Sequence, residues 1–85
     1  MYNKRTWLNK EGSDYTGSVV AFDGETFWHG EKFRNTFLQI SDCDSSIRLH
    51  KKDADTETDI ADFIDKMKLL KSEIELFINH LEANQ

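Results

Sequence analysis

The chain contains no proline and a single cysteine, Cys43. Without proline, nothing enforces a rigid boundary or a fixed kink along its length. With one cysteine no intrachain disulfide can form, and a free thiol fits a reducing compartment. A small side chain in or beside a turn accounts for Cys43. A nucleophile would need a base and an orienting group that the sequence does not supply. Apolar runs are equally scarce. The longest aliphatic or aromatic stretch is Val19–Phe22, far too short to span a bilayer. Residues 1–15 are polar and hold no apolar h-region, so no signal peptide is expected. These absences predict a soluble, cytoplasmic protein. The four glycines, at 12, 17, 24 and 30, sit at turn-like positions and form no glycine-rich phosphate loop.

Basic residues are outnumbered, 11 Lys and Arg against 16 Asp and Glu, for a net charge of -5. The imbalance is local. Residues 1–50 carry six basic and seven acidic side chains, whereas residues 51–85 carry five and nine. Asp53, Asp55, Glu57, Asp59, Asp62 and Asp65 run together with no basic residue among them. Such a chain is a poor general nucleic-acid binder, because neutralising phosphate supplies most of that affinity. A protein partner with a basic groove suits it better. Acids at a helix start also meet the positive end of the helix dipole, which explains the run without any partner.

What is present is a long amphipathic helix. Ile60, Met67, Ile74 and Leu81 recur every seven residues, and Phe63, Leu70 and Phe77 repeat at the same interval, offset by three. Ile64 and Ile78 widen the stripe to the breadth of a core-facing helix. A coiled coil is the alternative for such heptads. Lys71 and Ile78 at equivalent e positions, and the breadth of the stripe, argue against it. A second stripe of Leu69, Leu76, His80 and Ala83 lies roughly 200° away at about 100° per residue. Thr56 or Thr58 is the expected N-cap, and Thr56–Asp59 approximates a capping box. From 57 to 83 the helix would run about 40 Å. A strand of ordinary length covers about 17–20 Å, so its C-terminal turns are expected to overhang a sheet.

Upstream, residues 3–50 read as β structure. Arg5–Leu8 reads as a short strand and Asn9–Gly17 as a loop. Asp23-Gly24 between Val19–Phe22 and Glu25–Trp28 predicts a type I′ hairpin, since both turn residues need positive φ. That register puts Val20, Phe22 and Phe27 on one face, the better core candidate, and Val19, Ala21, Thr26 and Trp28 on the other. Gly30-Glu31 turns the chain into a run from Phe33 to Ile40. Ser41–Ser46 is a dense turn signal. Ile47 and Leu49 should point inward, with Arg48 and His50 outward. The fold class is therefore α+β: an antiparallel sheet of four or five strands with one long C-terminal helix packed on one face. Residues 1–85 form a single domain. The core should draw on Val20, Phe22, Phe27, Phe37 or Leu38, Ile40, Ile47 and Leu49, together with the first helix stripe.

Motifs for chemistry are missing. Counted from Asp53, a calcium-binding EF-hand loop would place Thr58 and Ile64 where glycine and glutamate are required. His29, His50 and His80 show no metal-ligand spacing with one another or with Cys43. No carboxylate pair is singled out for acid–base work. No metal, cofactor or enzymatic activity is expected. Two binding surfaces remain. The first, for a protein, comprises Val19 and Trp28 on the sheet, Asp55, Glu57, Asp59 and Asp62 at the helix start, and Leu69, Leu76 and His80 on the second stripe. The second, for nucleic acid, comprises Arg34, Arg48, Lys51 and Lys52 with Trp28 as a stacking residue. So small a domain has marginal stability, and self-association into a homodimer is one remedy. The expected function is a small acidic non-catalytic protein-interaction module. Its size and charge suit a virus-encoded, phage-type accessory protein, an inhibitor or adaptor acting in the host cytoplasm by occluding another macromolecule's surface. A nucleic-acid-binding module is the alternative.

Overall fold

The computed structural model describes residues 1–9, 12, 16–51 and 57–85; the side chains of Trp28 and Glu57 lie outside the description. Four strands precede one helix: β1 (Tyr2–Trp7), β2 (Gly17–Trp28), β3 (Glu31–Asp42), β4 (Ser45–His50) and α1 (Glu57–Ala83). The strands form one antiparallel sheet in the order β1-β2-β3-β4. This is an α+β arrangement. The chain divides into two compact units, Met1–Asp55 and Thr56–Gln85.

The centre of the sheet is the β2–β3 ladder, which pairs Gly17 with Asp42 at one end and Trp28 with Glu31 at the other. His29 and Gly30 close it, both in the left-handed region at φ 53° and 80°. Two consecutive positive φ values are what a type I′ turn requires. Histidine is among the non-glycine residues that tolerate this conformation, and glycine adopts it without penalty. The hairpin expected at Asp23-Gly24 is therefore displaced by six residues, and β2 runs straight through that dipeptide. The reason lies across the ladder. The Asp23 carboxylate accepts hydrogen bonds from Arg34 and Thr36 on β3 instead of bonding its own local backbone. Gly24 leaves a gap that neighbouring side chains fill: a Cβ there would come within 2.9 Å of Met1 Cγ and 3.1 Å of Phe22 Cζ.

Moving the turn changes the faces. Phe27 now has the parity of Val19 and Ala21, not of Phe22, and it is 72% exposed instead of core. Thr26 and position 28 join the face of Val20 and Phe22. The grouping of Val19 with Thr26 on one face is therefore overturned, and the Trp28 side chain lies outside the description.

The other connections are closer to expectation. Between β1 and β2, Leu8 N–H donates to Gly17 O at 2.8 Å, and Gly17 N–H donates to Asn9 Oδ1. Gly12 has φ 85°. The β3–β4 link is the two-residue turn Cys43-Asp44, closed by the Asp42–Ser45 pair. Cys43 is exposed and left-handed at φ 53°, a turn residue as expected. Edge strands β1 and β4 are six residues each, half the length of β2 and β3. Short edges bearing Lys4, Arg5 and Arg48 limit open-ended pairing with other sheets.

α1 has the predicted bounds, 57 to 83; the candidate cap Thr56 lies outside the described residues. Its C-terminal end is capped by Asn84, whose N–H reaches His80 O at 3.2 Å and whose side-chain amide donates to the same oxygen at 2.8 Å. At about 3.4 Å per residue, the twelve-residue central strands reach about 40 Å, the same as the helix at about 1.5 Å per residue. The length mismatch expected from strands of ordinary length is absent. No helix among the described residues is long and apolar enough to cross a membrane.

Glycine insertion tests the register. One glycine inserted between His29 and Gly30 only lengthens a turn and should cost about 1 kcal/mol in chemical denaturation. The same insertion after Asp23 flips every following side chain of β2 to the opposite face and should abolish cooperative unfolding. Equal tolerance at the two sites would contradict the register.

Candidate functional site

With the register known, the two faces of the sheet have different chemistry. On one, Val19, Ile40 and Ile47 align across the strands, and Ala21, Leu38 and Leu49 form the adjacent row. This aliphatic block continues into a polar end. There Arg34 Nε and Nη2 donate to the two carboxylate oxygens of Asp23 at 2.8 and 2.7 Å, and Thr36 Oγ1 donates to Asp23 Oδ1 at 2.9 Å. Lys32 Nζ lies 2.8 Å from Glu25. The Arg34 hydrogen bonds hold the Asp23 carboxyl down at about 2, from an ordinary 3.8, with Thr36 assisting and partial desolvation opposing. An open hollow of about 660 Å³ is lined by Met1, Asp23, Gly24, Glu25, Lys32, Phe33 and Arg34. Two ion pairs, Asp23–Arg34 and Glu25–Lys32, line it.

The opposite face is aromatic and cationic. Arg5, Val20, Gln39 and Arg48 form one row across all four strands, and Asn3, Phe22, Phe37 and His50 form the next. Trp7 heads the row on the other side, with Ser18, Ser41 and Ser46. Phe22 and Phe37 stack with ring centroids 5.3 Å apart and planes 14° from parallel. His50 lies 6.3 Å from the Phe37 ring. The Arg48 guanidinium sits 4.0 Å over Phe37 and donates twice to Gln39 Oε1, at 2.9 and 2.6 Å. The Arg5 guanidinium lies 5.7 Å from the exposed Trp7 ring. Both are cation–π contacts, the Arg48 one close and the Arg5 one near the outer limit of such contacts.

These placements rearrange the residues expected to act. Of the basic set, Arg34 and Arg48 are on opposite faces, and Arg34 is ion-paired to Asp23. Lys51 is 6% exposed and engaged, and its N–H donates to Thr36 O at 3.0 Å. Lys52 lies outside the described residues, as does the Trp28 side chain. The basic cluster is therefore not assembled as expected. Of the acidic set, Asp55 and the Glu57 side chain lie outside the described residues. Asp59 is 9% exposed and engaged, so it is not displayed to a partner, whereas Asp62 is exposed. The second helix stripe is open: Leu69 and Leu76 are 65% and 62% exposed. His80 is exposed beside Asn84, which lies 3.4 Å from its Nδ1. Val19 is half-buried in the aliphatic block.

Arg5, Trp7 and Gln39 were not singled out as binding residues from the sequence. The available signal was period-two spacing, Arg5-x-Trp7 and Arg48-x-His50, on two strands that become the edges of one sheet. Among the described residues no three of His, Cys, Asp and Glu converge as metal ligands. Comparison of the chain with protein-family models, with curated proteins and with solved structures gives no match in any of the three.

The Asp23 cluster gives a pH prediction. Its folded-state pKa lies below its unfolded value, so its stabilisation is fully present above about pH 4 and is lost as pH falls through about 2. Because the pair is partly solvent-screened, Asp23→Asn should cost at most about 1 kcal/mol at neutral pH. The difference from wild type should vanish near pH 2 in thermal unfolding. A cost that does not change between pH 7 and 2 would contradict this assignment.

Proposed function

We propose that this protein is a non-catalytic interaction module that acts by covering a surface of another macromolecule, and that it self-associates to do so. The observation that supports this is the distribution of apolar side chains. The sheet carries an aliphatic block on one face and a stacked aromatic pair on the other, yet no apolar side chain among the described residues is fully buried. A sheet buries its apolar faces against another layer. Two sheet faces and a second leucine stripe call for surface from outside the chain.

A homodimer is the simplest supply, because a small domain gains most from an added core. The rear stripe of α1, with Leu69 and Leu76, offers exposed apolar surface for this, as do Phe77 and Leu81 of the main stripe. The macromolecule that is covered would meet the acidic helix unit, where three lysines face seven acids. A basic or mixed surface fits that charge.

Molar mass by light scattering behind a sizing column, across a range of concentrations, tests this reading. Wild type should run at twice the chain mass at high concentration. The double variant Leu69→Lys, Leu76→Lys should run as a folded monomer, with about a hundredfold weaker self-association for a loss of about 3 kcal/mol. A wild-type protein that stays monomeric throughout would sink self-association through this stripe.

A further inference from the structure

The two faces of the sheet treat their cations differently. Lys32 and Arg34, on the aliphatic face, are each paired with a carboxylate. Arg5 and Arg48, on the aromatic face, rest on rings, and Arg48 bonds the neutral amide of Gln39. Among the described residues neither is ion-paired to a carboxylate. Both belong to one cross-strand row, Arg5–Val20–Gln39–Arg48, and stand at its two ends. Four strands at about 4.8 Å spacing separate them by about 14 Å. Between and beside them lie Trp7, Phe22, Phe37 and His50, and the acid of this face, Glu31, is at the far end of the ladder.

We propose that this face binds single-stranded nucleic acid. Exposed rings and flat guanidinium groups are surfaces on which unpaired bases stack, while cations at both edges of the sheet meet the phosphates that run past them. Trp7 offers an open ring at one edge. Arg48, with one side of its guanidinium on Phe37, offers the other side as a second plane. A purely apolar partner would leave both arginines desolvated and unpaired, which is costly. An anionic ligand with planar groups satisfies charge and ring together. The overall acidity does not oppose this, because the excess resides in the helix unit, while residues 1–55 hold eight basic and nine acidic side chains. This binding does not depend on self-association through α1.

The test is fluorescence anisotropy of a short fluorescein-labelled oligothymidine titrated with the full chain at about 50 mM salt, with tryptophan emission followed in parallel. Binding should quench tryptophan, and a duplex of the same length should bind markedly less. Trp7→Ala should weaken binding roughly 5- to 150-fold, the range for loss of one stacked base. Arg5→Ala and Arg48→Ala should each flatten the slope of log affinity against log salt by about 0.7. Lys32→Ala, on the other face, should leave affinity unchanged. All four side chains are exposed, and matching circular dichroism spectra establish that the variants fold. An oligouridine run alongside distinguishes RNA from DNA, and binding of either supports the proposal. No binding at low salt by folded wild type would overturn it, as would equal affinity for duplex. Binding of a polyglutamate peptide in place of the oligonucleotide would overturn it in favour of an acidic protein partner.

Discussion

Everything distinctive about this sheet depends on the register of the β2–β3 ladder, which a left-handed turn at His29-Gly30 sets and the Asp23 carboxylate reinforces. Side chains on a strand alternate, so a slip of one residue would exchange the faces wholesale. The turn conformation pins one end of a twelve-residue ladder. Five pairs along it, Arg34 and Thr36 reach Asp23 and add charge-assisted hydrogen bonds that only this register permits. Each interaction is modest alone. Together they decide which side chains become neighbours.

From that register follows a segregation by chemistry. Branched aliphatic residues from β2, β3 and β4 stack in two adjacent rows on one side, and rings with guanidinium groups occupy the other. Aliphatic blocks pack well against another apolar layer because they carry no polar atoms to satisfy. Rings capped by arginine suit a ligand that alternates planar and charged groups. The aromatic face is the more polar of the two, since Asn3, Arg5, Gln39, Arg48 and His50 share it with the two phenylalanines.

The helix unit complements this division. It holds most of the acidic excess and carries leucines on the side opposite its main stripe. Acid near its start is favourable to the helix itself through the dipole, and Asp59 is withdrawn from solvent. Charge in the chain is therefore arranged so that the cations of the aromatic face and the acidic excess lie in different units.

The sequence by itself determined the elements whose code is local. Heptad spacing and an acidic start marked the extent of α1, about 57 to 83, because side chains three and four apart share a helix face whatever surrounds them. Turn residues marked Cys43-Asp44, and the absence of long apolar runs excluded a membrane-spanning helix. The register of β2 was not local. Val19–Trp28 shows no clean alternation, because both faces carry apolar residues, so period two is erased as a signal. Asp23-Gly24 has turn chemistry, but its partner Arg34 is eleven residues away, beyond any window that reads local preference. Only the tertiary structure could decide between a turn there and a ladder through it. With that decision came the faces, the pairing of Arg34, the burial of Lys51 and the row that joins Arg5 to Arg48. A binding surface on a sheet is made of residues distant in sequence and adjacent in space, and adjacency across strands is a property of the fold.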